Sequence, residues 1–166
     1  MRTHELVSVH EYLSTSYRPD CDYVEGVVLE RNVGELDHGR LMARAGFAFF
    51  NREREFGLWA LPSLRIQISA TRIRVADVCV FAGPKPDEQV PTRPAFICIE
   101  VLSRDDRLSE MQERVQDYLD FGVPYVWILD PKTRQAWRCS PGEMRQVEEL
   151  RTANPEILVP LDEVFG

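Results

Sequence analysis

The chain has 166 residues, of which 44% are hydrophobic and 28% charged, a composition typical of a soluble globular protein that folds as one domain over residues 1–166. The formal net charge of −7 argues against a generally basic, histone-like binder, although a local basic cluster still allows nucleic-acid contacts. No stretch approaches the roughly 18 apolar residues of a membrane span, and the N-terminus lacks a signal-peptide core, so a cytoplasmic location is expected. The four cysteines have no CxxC spacing and the three histidines form no HxH or HExxH pattern, which predicts neither a disulfide framework nor a zinc site.

Apolar spacing in the N-terminal third predicts two helices separated by one strand. Residues 7–13 have amphipathic helical spacing, with Ser8 as a candidate N-cap. Residues 23–31 (YVEGVVLER) are strand-like, and Gly26 indicates a bulge or a bend within them. A longer helix is expected over residues 34–56, where Gly57 suits its C-cap.

Two alternating runs, residues 58–69 and 71–81, are separated by a short link and therefore predict a β-hairpin. In the second run Asp77 shares one face with Cys79 and Phe81, so it is a lone carboxylate in an apolar strand. Residues 83–94 contain four prolines and are expected to form a surface loop.

Residues 95–105 (AFICIEVLSRD) are the most distinctive stretch of the chain. Seven of the nine residues from 95 to 103 are apolar, which is typical of a strand buried on both faces, as in parallel sheets. Glu100 is the single carboxylate in this run, and alternation puts it on the face of Phe96, Cys98 and Leu102. An ionised carboxylate in such a place is costly unless it is paired, hydrogen-bonded or bound to a metal.

The pattern after Glu100 predicts a strand, a helix and a second strand. The helix is expected over residues 105–121, with Ser103 as a candidate cap and Gly122 at its end, and residues 124–130 form the next buried strand. This order indicates a right-handed parallel β-α-β crossover. Residues 134–139 and 144–150 add antiparallel C-terminal strands, and the tail adds an apolar edge segment. The predicted class is α/β (α+β), with a mixed β-sheet flanked by helices.

Two isolated carboxylates on apolar strands point to a shared site. If the strands of Asp77 and Glu100 pair, both groups reach one side of the sheet, where two like charges need a cation in order to stay ionised. Oxygen ligands favour a hard ion such as Mg²⁺ or Mn²⁺. Such an ion polarises a phosphoryl oxygen and lowers the pKa of bound water.

At this point the sequence resembles a known family. The chain contains the series Glu100, Ser103, Arg107, Tyr118, Gly122–Val123, Tyr125–Val126–Trp127 and Asp130–Pro131. This series is similar to that of the Uma2 family, which has a restriction-endonuclease-like, PD-(D/E)XK fold. Tyr23–Val24–Glu25–Gly26 and His38 also fit its N-terminal pattern. The resemblance spans roughly residues 9–161, almost the whole chain.

The resemblance implies metal-dependent cleavage of DNA phosphodiester bonds. It assigns Asp77 and Glu100 as metal ligands, Glu25 as the family's first acidic position, and the carbonyl of Val101 as a further ligand for Mg²⁺ or Mn²⁺. It further implies DNA as substrate and, by analogy with related nucleases that address two strands, a homodimer.

The chain departs from the PD-(D/E)XK motif at two positions. Ala76 stands in place of the proline, which is not a ligand, and Leu102 stands where the motif has lysine. In the family the basic residue lies in the following helix, where Arg114 matches it. Arginine does not act as a base, so its expected role is to hold the scissile phosphate and offset transition-state charge.

Alternatives remain for each residue and for the function. Glu25 suits an exposed strand position, His38 a helix start, and Arg114 a solvated helix surface, while Tyr118 suits the core. The chain is expected to be either an active nuclease, a degenerate nuclease-fold protein that binds DNA or regulates, or an interaction protein with structural carboxylates. The nuclease hypothesis predicts Glu25, Asp77 and Glu100 around one cavity. Separate arginines bound to Asp77 and Glu100 on opposite sides of the sheet argue against it.

Overall fold

A computed structural model describes residues 5–32 and 34–166; His4, one of the three histidines, lies outside them. The helices are α1 (Val9–Leu13), α2 (Leu36–Phe50), α3 (Glu53–Phe56), α4 (Leu108–Phe121) and α5 (Leu161–Phe165). The strands are β1 (Asp22–Val24), β2 (Val27–Leu29), β3 (Leu58–Ser69), β4 (Arg72–Ala82), β5 (Ile97–Val101), β6 (Tyr125–Asp130), β7 (Gln135–Ser140), β8 (Glu143–Val147), β9 (Glu149–Arg151) and β10 (Leu158–Pro160).

The main sheet is mixed, which confirms the predicted fold class. Its strand order is β2-β1-β4-β5-β6-β7-β8, and β3 pairs with the other edge of β4. Strands β5 and β6 are parallel and joined by α4, as the crossover prediction requires, while the other pairs in this sheet are antiparallel. Gly122 ends α4 in the left-handed conformation, which a glycine adopts without strain.

The strand predicted over residues 23–31 is instead a hairpin of β1 and β2. Glu25 and Gly26 form the turn with φ angles of 49° and 87°, the positive values typical of two-residue hairpin loops. The turn reverses the chain immediately after Val24, so β1 is only three residues long.

Helices cover both faces of the main sheet. One apolar cluster packs α2 and α5 against the first face, and it includes Leu41, Ala45, Phe49, Val78, Val80, Ile97, Ile99, Val101, Trp127 and Val164. A second cluster packs α4 against the opposite face, and it includes Cys79, Phe81, Cys98, Met111, Val115, Tyr118 and Ile128. All four cysteines are buried and free. No helix within the described ranges is long and apolar enough to cross a membrane.

Strand β4 shares one of its edges between two neighbours. It pairs with β5 at residues 78–80 and with β1 at residues 72–73. Residues 74–77 lie between these ladders, and we call this gap, with the facing ends of β1 and β5, the fork. Ala76 belongs to the second cluster and Val78 to the first, so the alternation of faces is interrupted at Asp77. Ser63, opposite Asp77 in the register of β3, has a φ of 47°.

Candidate active site

Asp77 bridges the fork from β4 to β5. The pairing of Val78 with Ile99 would bring Asp77 opposite Glu100 if the ladder continued. Instead, the backbone N–H of Val101 donates to Asp77 Oδ2 at 2.8 Å. The side chain of Asp77 thus replaces a backbone acceptor where the two strands separate.

The carboxylate of Asp77 is also paired with two basic side chains. Arg31, which follows β2, donates through Nη2 to Asp77 Oδ1, and Nε2 of His38 in the first turn of α2 lies 3.5 Å from Oδ2. Asp77 is 2% exposed, so this pairing offsets the large cost of burying its charge. Both carboxylate oxygens therefore already have donors.

Glu100 is held by helix α4. Its Oε1 accepts a 2.6 Å hydrogen bond from the hydroxyl of Tyr118 and a 3.0 Å bond from Nη2 of Arg114. The side chain is 1% exposed, and Oε2 accepts no hydrogen bond from the residues that the structure describes. Arg114 therefore reaches the site, as the family position implies, and Tyr118 is both a core residue and a donor to Glu100.

Asp22, at the start of β1, closes the other end of the fork. Its Oδ1 accepts the N–H of Val75 at 2.8 Å, and its Oδ2 lies 3.1 Å from Arg74 and 3.3 Å from Arg114. Arg114 also donates to the carbonyl of Val75 at 2.8 Å. Asp22 and Arg114 thus satisfy the backbone of β4 where it has no neighbouring strand.

Glu25 does not join this group. Its carboxylate is bound to Thr71 at 2.9 Å and to Arg72 at 3.2 Å, and its side chain is 57% exposed. Because β1 runs antiparallel to β4, Val24 pairs with Arg72, and Glu25 lies beyond it at the end of β4 remote from Asp77. The expectation that Glu25, Asp77 and Glu100 surround one cavity is therefore not met, and Asp22 is the acid that β1 contributes.

The two central carboxylates differ in protonation. Burial, together with the nearby charge of Asp77, raises the pKa of Glu100 to about 7, although Arg114 opposes the shift. Burial also disfavours the charged form of Asp77, but the hydrogen bond to His38 and the charge of Arg31 hold the pKa of Asp77 well below its usual range. The same hydrogen bond raises the pKa of His38. Asp77 is thus ionised at neutral pH, while Glu100 lies near its titration point.

The carboxylate oxygens of the fork suit a hard divalent ion, but in this structure both carboxylates are bound to arginine side chains instead. Two carboxylates are oxygen ligands of the type that Mg²⁺ prefers, yet Asp77 is paired with Arg31 and Glu100 with Arg114. No group of three or more His, Cys, Asp or Glu side chains in residues 5–32 and 34–166 is arranged to hold a metal. Each carboxylate thus has its own arginine, while the charges of Asp77 and Arg31 both act on Glu100, and ion binding at Asp77 requires that Arg31 move.

Three members of this group were not assigned to it by sequence reasoning. Asp22 precedes a strand-like run and Arg31 ends one, and neither position has a periodicity that marks it as buried. His38 fits the N-terminal pattern of the resembled family, but its pairing with Asp77 is not visible in the sequence. Asp22 stands three residues before Glu25, directly ahead of the predicted strand, but the turn that separates the two acids is visible only in the hairpin.

Replacing Glu100 by Gln is expected to flatten the pH dependence of stability between about pH 4.5 and 7. The pKa of Glu100 is raised from 4.5 to about 7 on folding, so the folded state binds more protons in this interval and stability falls as pH rises through it. The variant should lack this contribution, a slope of up to roughly 1.4 kcal/mol per pH unit. Urea unfolding at several pH values measures it. A slope equal to that of wild type, with Glu25→Gln as control, would contradict the shift.

The fold and the fork together define a class of protein. A mixed sheet with a β5-α4-β6 crossover, and two buried carboxylates where β4 parts from β5, are features of the restriction-endonuclease-like class. The chain belongs to the Uma2 family, whose model, described as "Putative restriction endonuclease", matches residues 9–165. The resemblance seen in the sequence is thereby confirmed.

A solved structure has the same fold. The chain is similar to a "putative nuclease belonging to DUF820" from Anabaena variabilis ATCC 29413, with a TM-score of 0.81 and 17% sequence identity over 96% of this chain and 97% of that one. At this identity the likeness establishes the fold alone. No curated protein matches the chain in sequence.

Proposed function

We propose that the chain is an endonuclease that cleaves DNA phosphodiester bonds at the fork with Mg²⁺ or Mn²⁺. The observation that carries the proposal is that two buried carboxylates, Asp77 and Glu100, come from adjacent strands at the point where those strands separate. Membership of a family described as restriction endonucleases supports this function. The raised pKa of Glu100 supports it too, because Asp77 contributes to that shift.

In this proposal Asp77 and Glu100 hold the ion once Arg31 has left Asp77. Oε2 of Glu100 is the oxygen of that side chain that accepts no bond in the described residues. Leu102 donates its N–H to the carbonyl of Leu129 in β6. Because successive residues of a strand direct their backbone groups to opposite neighbours, the N–H and the carbonyl of Val101 both point toward the β4 side. When bound, the ion would supply polarisation of the phosphoryl oxygen and a lowered pKa of water.

Arg114 acts on Glu100 in this arrangement. Nη2 of Arg114 donates to Glu100 and to the carbonyl of Val75, and Nη1 lies 3.3 Å from Asp22, so the guanidinium engages the carboxylates and backbone of the fork rather than the scissile phosphate expected from the sequence. We therefore propose Arg114 as a positioning residue that, with Tyr118, fixes the orientation of the Glu100 carboxylate. Preorganised ligands of this kind reduce the reorganisation that the reaction requires.

Incubation of supercoiled plasmid with the pure protein and Mn²⁺ or Mg²⁺ tests the proposal. Wild type should nick or cut the plasmid, while Asp77→Asn and Glu100→Gln should lower the rate by on the order of 10²-fold or more, by analogy with the loss of one transition-state donor. Glu25→Gln is the matched control, since its carboxylate is exposed and remote from the fork, and it should cut like wild type. Equal rates in all four proteins would show that any cleavage comes from a contaminant.

The proposal includes a homodimer, because two copies let one active site address each strand. Phe47 and Phe50 on α2 are 63% and 56% exposed, and they form an apolar surface that a second copy would cover. The same plasmid assay reports on this point. A stable dimer that cuts both strands in one encounter gives linear product from the start, whereas a monomer gives nicked circles first and linear product only later.

A second candidate function is supported by the arginine pairs. Arg31 and Arg114 neutralise both carboxylates without a metal, and Leu102 occupies the motif's lysine position, so the chain would be a nuclease-fold protein that binds DNA without cleaving it. Absence of cleavage by wild type with either ion, together with DNA binding in the same buffer, would favour this function over the first.

A further inference from the structure

A cleft lined by arginines lies away from the fork, on the sheet face that α2 covers. Its volume is about 580 Å³. Strands β6, β7 and β8 and the segment through β9 line it, with Tyr125, Trp127, Arg138, Arg145, Glu149 and Arg151 among its residues. Since the chain carries a net charge of −7, three arginines in one cleft are a local reversal of its overall charge.

Two of these arginines lie directly opposite each other on neighbouring strands. Arg138 in β7 pairs in register with Arg145 in β8, and like charges at directly opposite positions destabilise a sheet. Neither arginine forms an ion pair with any described residue. Arg151, by contrast, is paired with Glu149 at 2.9 Å and with Glu156 at 2.8 Å. Arg138 and Arg145 are thus the arginines of the cleft that have no ion-pair partner among the described residues, and the lining as a whole, with Glu148 and Glu149, has a formal charge of +1.

Tyr125 holds Arg138 in place. The guanidinium carbon of Arg138 lies 4.9 Å from the centre of the Tyr125 ring, and its Nε is buried without a hydrogen-bond partner. Trp127 is 1% exposed and therefore not open to stacking with a nucleobase, and the partly exposed Tyr125 ring already has Arg138 over one face. What the cleft offers is a set of oriented N–H donors, which match a phosphate rather than a base.

We infer that this cleft binds the phosphodiester backbone of nucleic acid through Arg138 and Arg145, as a contact separate from the fork. The inference rests on the proposed function for the choice of nucleic acid as the polyanion. Strand β7 lies three strand spacings from β4, and strand β8 lies four strand spacings from β4. At about 4.8 Å per spacing, these distances are roughly 14 Å and 19 Å. At about 3.4 Å per nucleotide along one strand, the contact lies roughly four to six nucleotides from a phosphate at the fork.

Fluorescence anisotropy with a labelled DNA duplex in EDTA, over a series of salt concentrations, tests the inference without cleavage. Each phosphate contact contributes about 0.9 to the magnitude of the slope of log K against log salt. The double variant Arg138→Gln, Arg145→Gln should therefore lower that magnitude by about 1.8 and weaken binding at low salt about tenfold. Arg145→Gln alone should produce about half of this change in slope. Because Arg145 is an exposed residue of β8, the single variant tests the inference even if the double variant does not fold.

Arg151→Gln is the matched control, because its charge in the same cleft is already paired. It should leave the slope within error of wild type. A slope unchanged in Arg145→Gln and in the double variant would overturn the inference, as would the absence of DNA binding by wild type, or stabilisation by inorganic phosphate without any DNA binding. Failure of the proposed cleavage is a separate result, since it is read from plasmid and from Asp77→Asn.

Discussion

Replacing Arg31 by alanine is expected to make the protein less stable without divalent ions and much more responsive to them. Arg31 and Asp77 form a pair in which the side chains are 15% and 3% exposed. Removing one partner of a buried pair costs about 3–5 kcal/mol, and we expect the lower end, because Val101 and His38 remain bound to Asp77. In the variant, Mn²⁺ or Mg²⁺ no longer competes with a guanidinium for Asp77. Thermal unfolding with and without each ion measures both effects.

The size of the ion response separates the two candidate functions. A ligand at about 100 times its Kd stabilises the folded state by about 2.7 kcal/mol, so an ion bound at the fork restores most of the stability lost with Arg31. Arg104→Ala is the matched control, since Arg104 forms a 2.9 Å pair with Glu35 in which the side chains are 76% and 58% exposed. It should change stability by less than about 1 kcal/mol. If the alanine variant at position 31 shows no greater ion response than wild type, Arg31 does not compete with an ion, and the non-cleaving function gains support.

The sequence pattern was sufficient to find the two central carboxylates. Asp77 and Glu100 stand out because each is the only charged residue in an apolar run, and because burial of both strand faces is a property of local composition. The crossover of β5, α4 and β6 was predictable for the same reason, since each element has its own periodicity and α4 ends at a glycine. These features depend on a few adjacent residues, and the structure confirms the fold that they predict.

The partners of those carboxylates were not predictable in the same way. Arg31 lies 46 positions from Asp77 along the chain, and Asp22 lies 53 positions from Val75, whose N–H it accepts. Such contacts depend on how β1 and β4 align, which is fixed by the antiparallel pairs of Tyr23 with Ile73 and of Val24 with Arg72. Because β1 runs antiparallel to β4, Glu25 falls beyond Arg72 at the exposed end of β4, whereas Asp22 lies at the fork.

This difference between two acids three residues apart leads to a second large expected effect. Asp22→Asn should destabilise the protein by about 3 kcal/mol, since it removes one charge from a buried group in which Arg74 and Asp22 are both 3% exposed on their side chains. The lower end of the usual range applies because Arg74 keeps Asp117 and Arg114 keeps Glu100. Glu25→Gln, on the same hairpin, should change stability by no more than about 0.5 kcal/mol, as is usual for exposed positions.

Urea unfolding of both variants at one pH provides the comparison. Asparagine keeps the shape of aspartate and can still accept the N–H of Val75 through Oδ1, so the loss measures the charge of Asp22 rather than a cavity. Because Arg114 then has Glu100 as its remaining carboxylate partner, the Asn variant should also hold Glu100 more firmly in its ionised form, and the pKa of Glu100 should fall. Equal effects of the two substitutions, or a larger effect at Glu25, would mean that β1 brings its acid to the fork in a different register from the one in this structure.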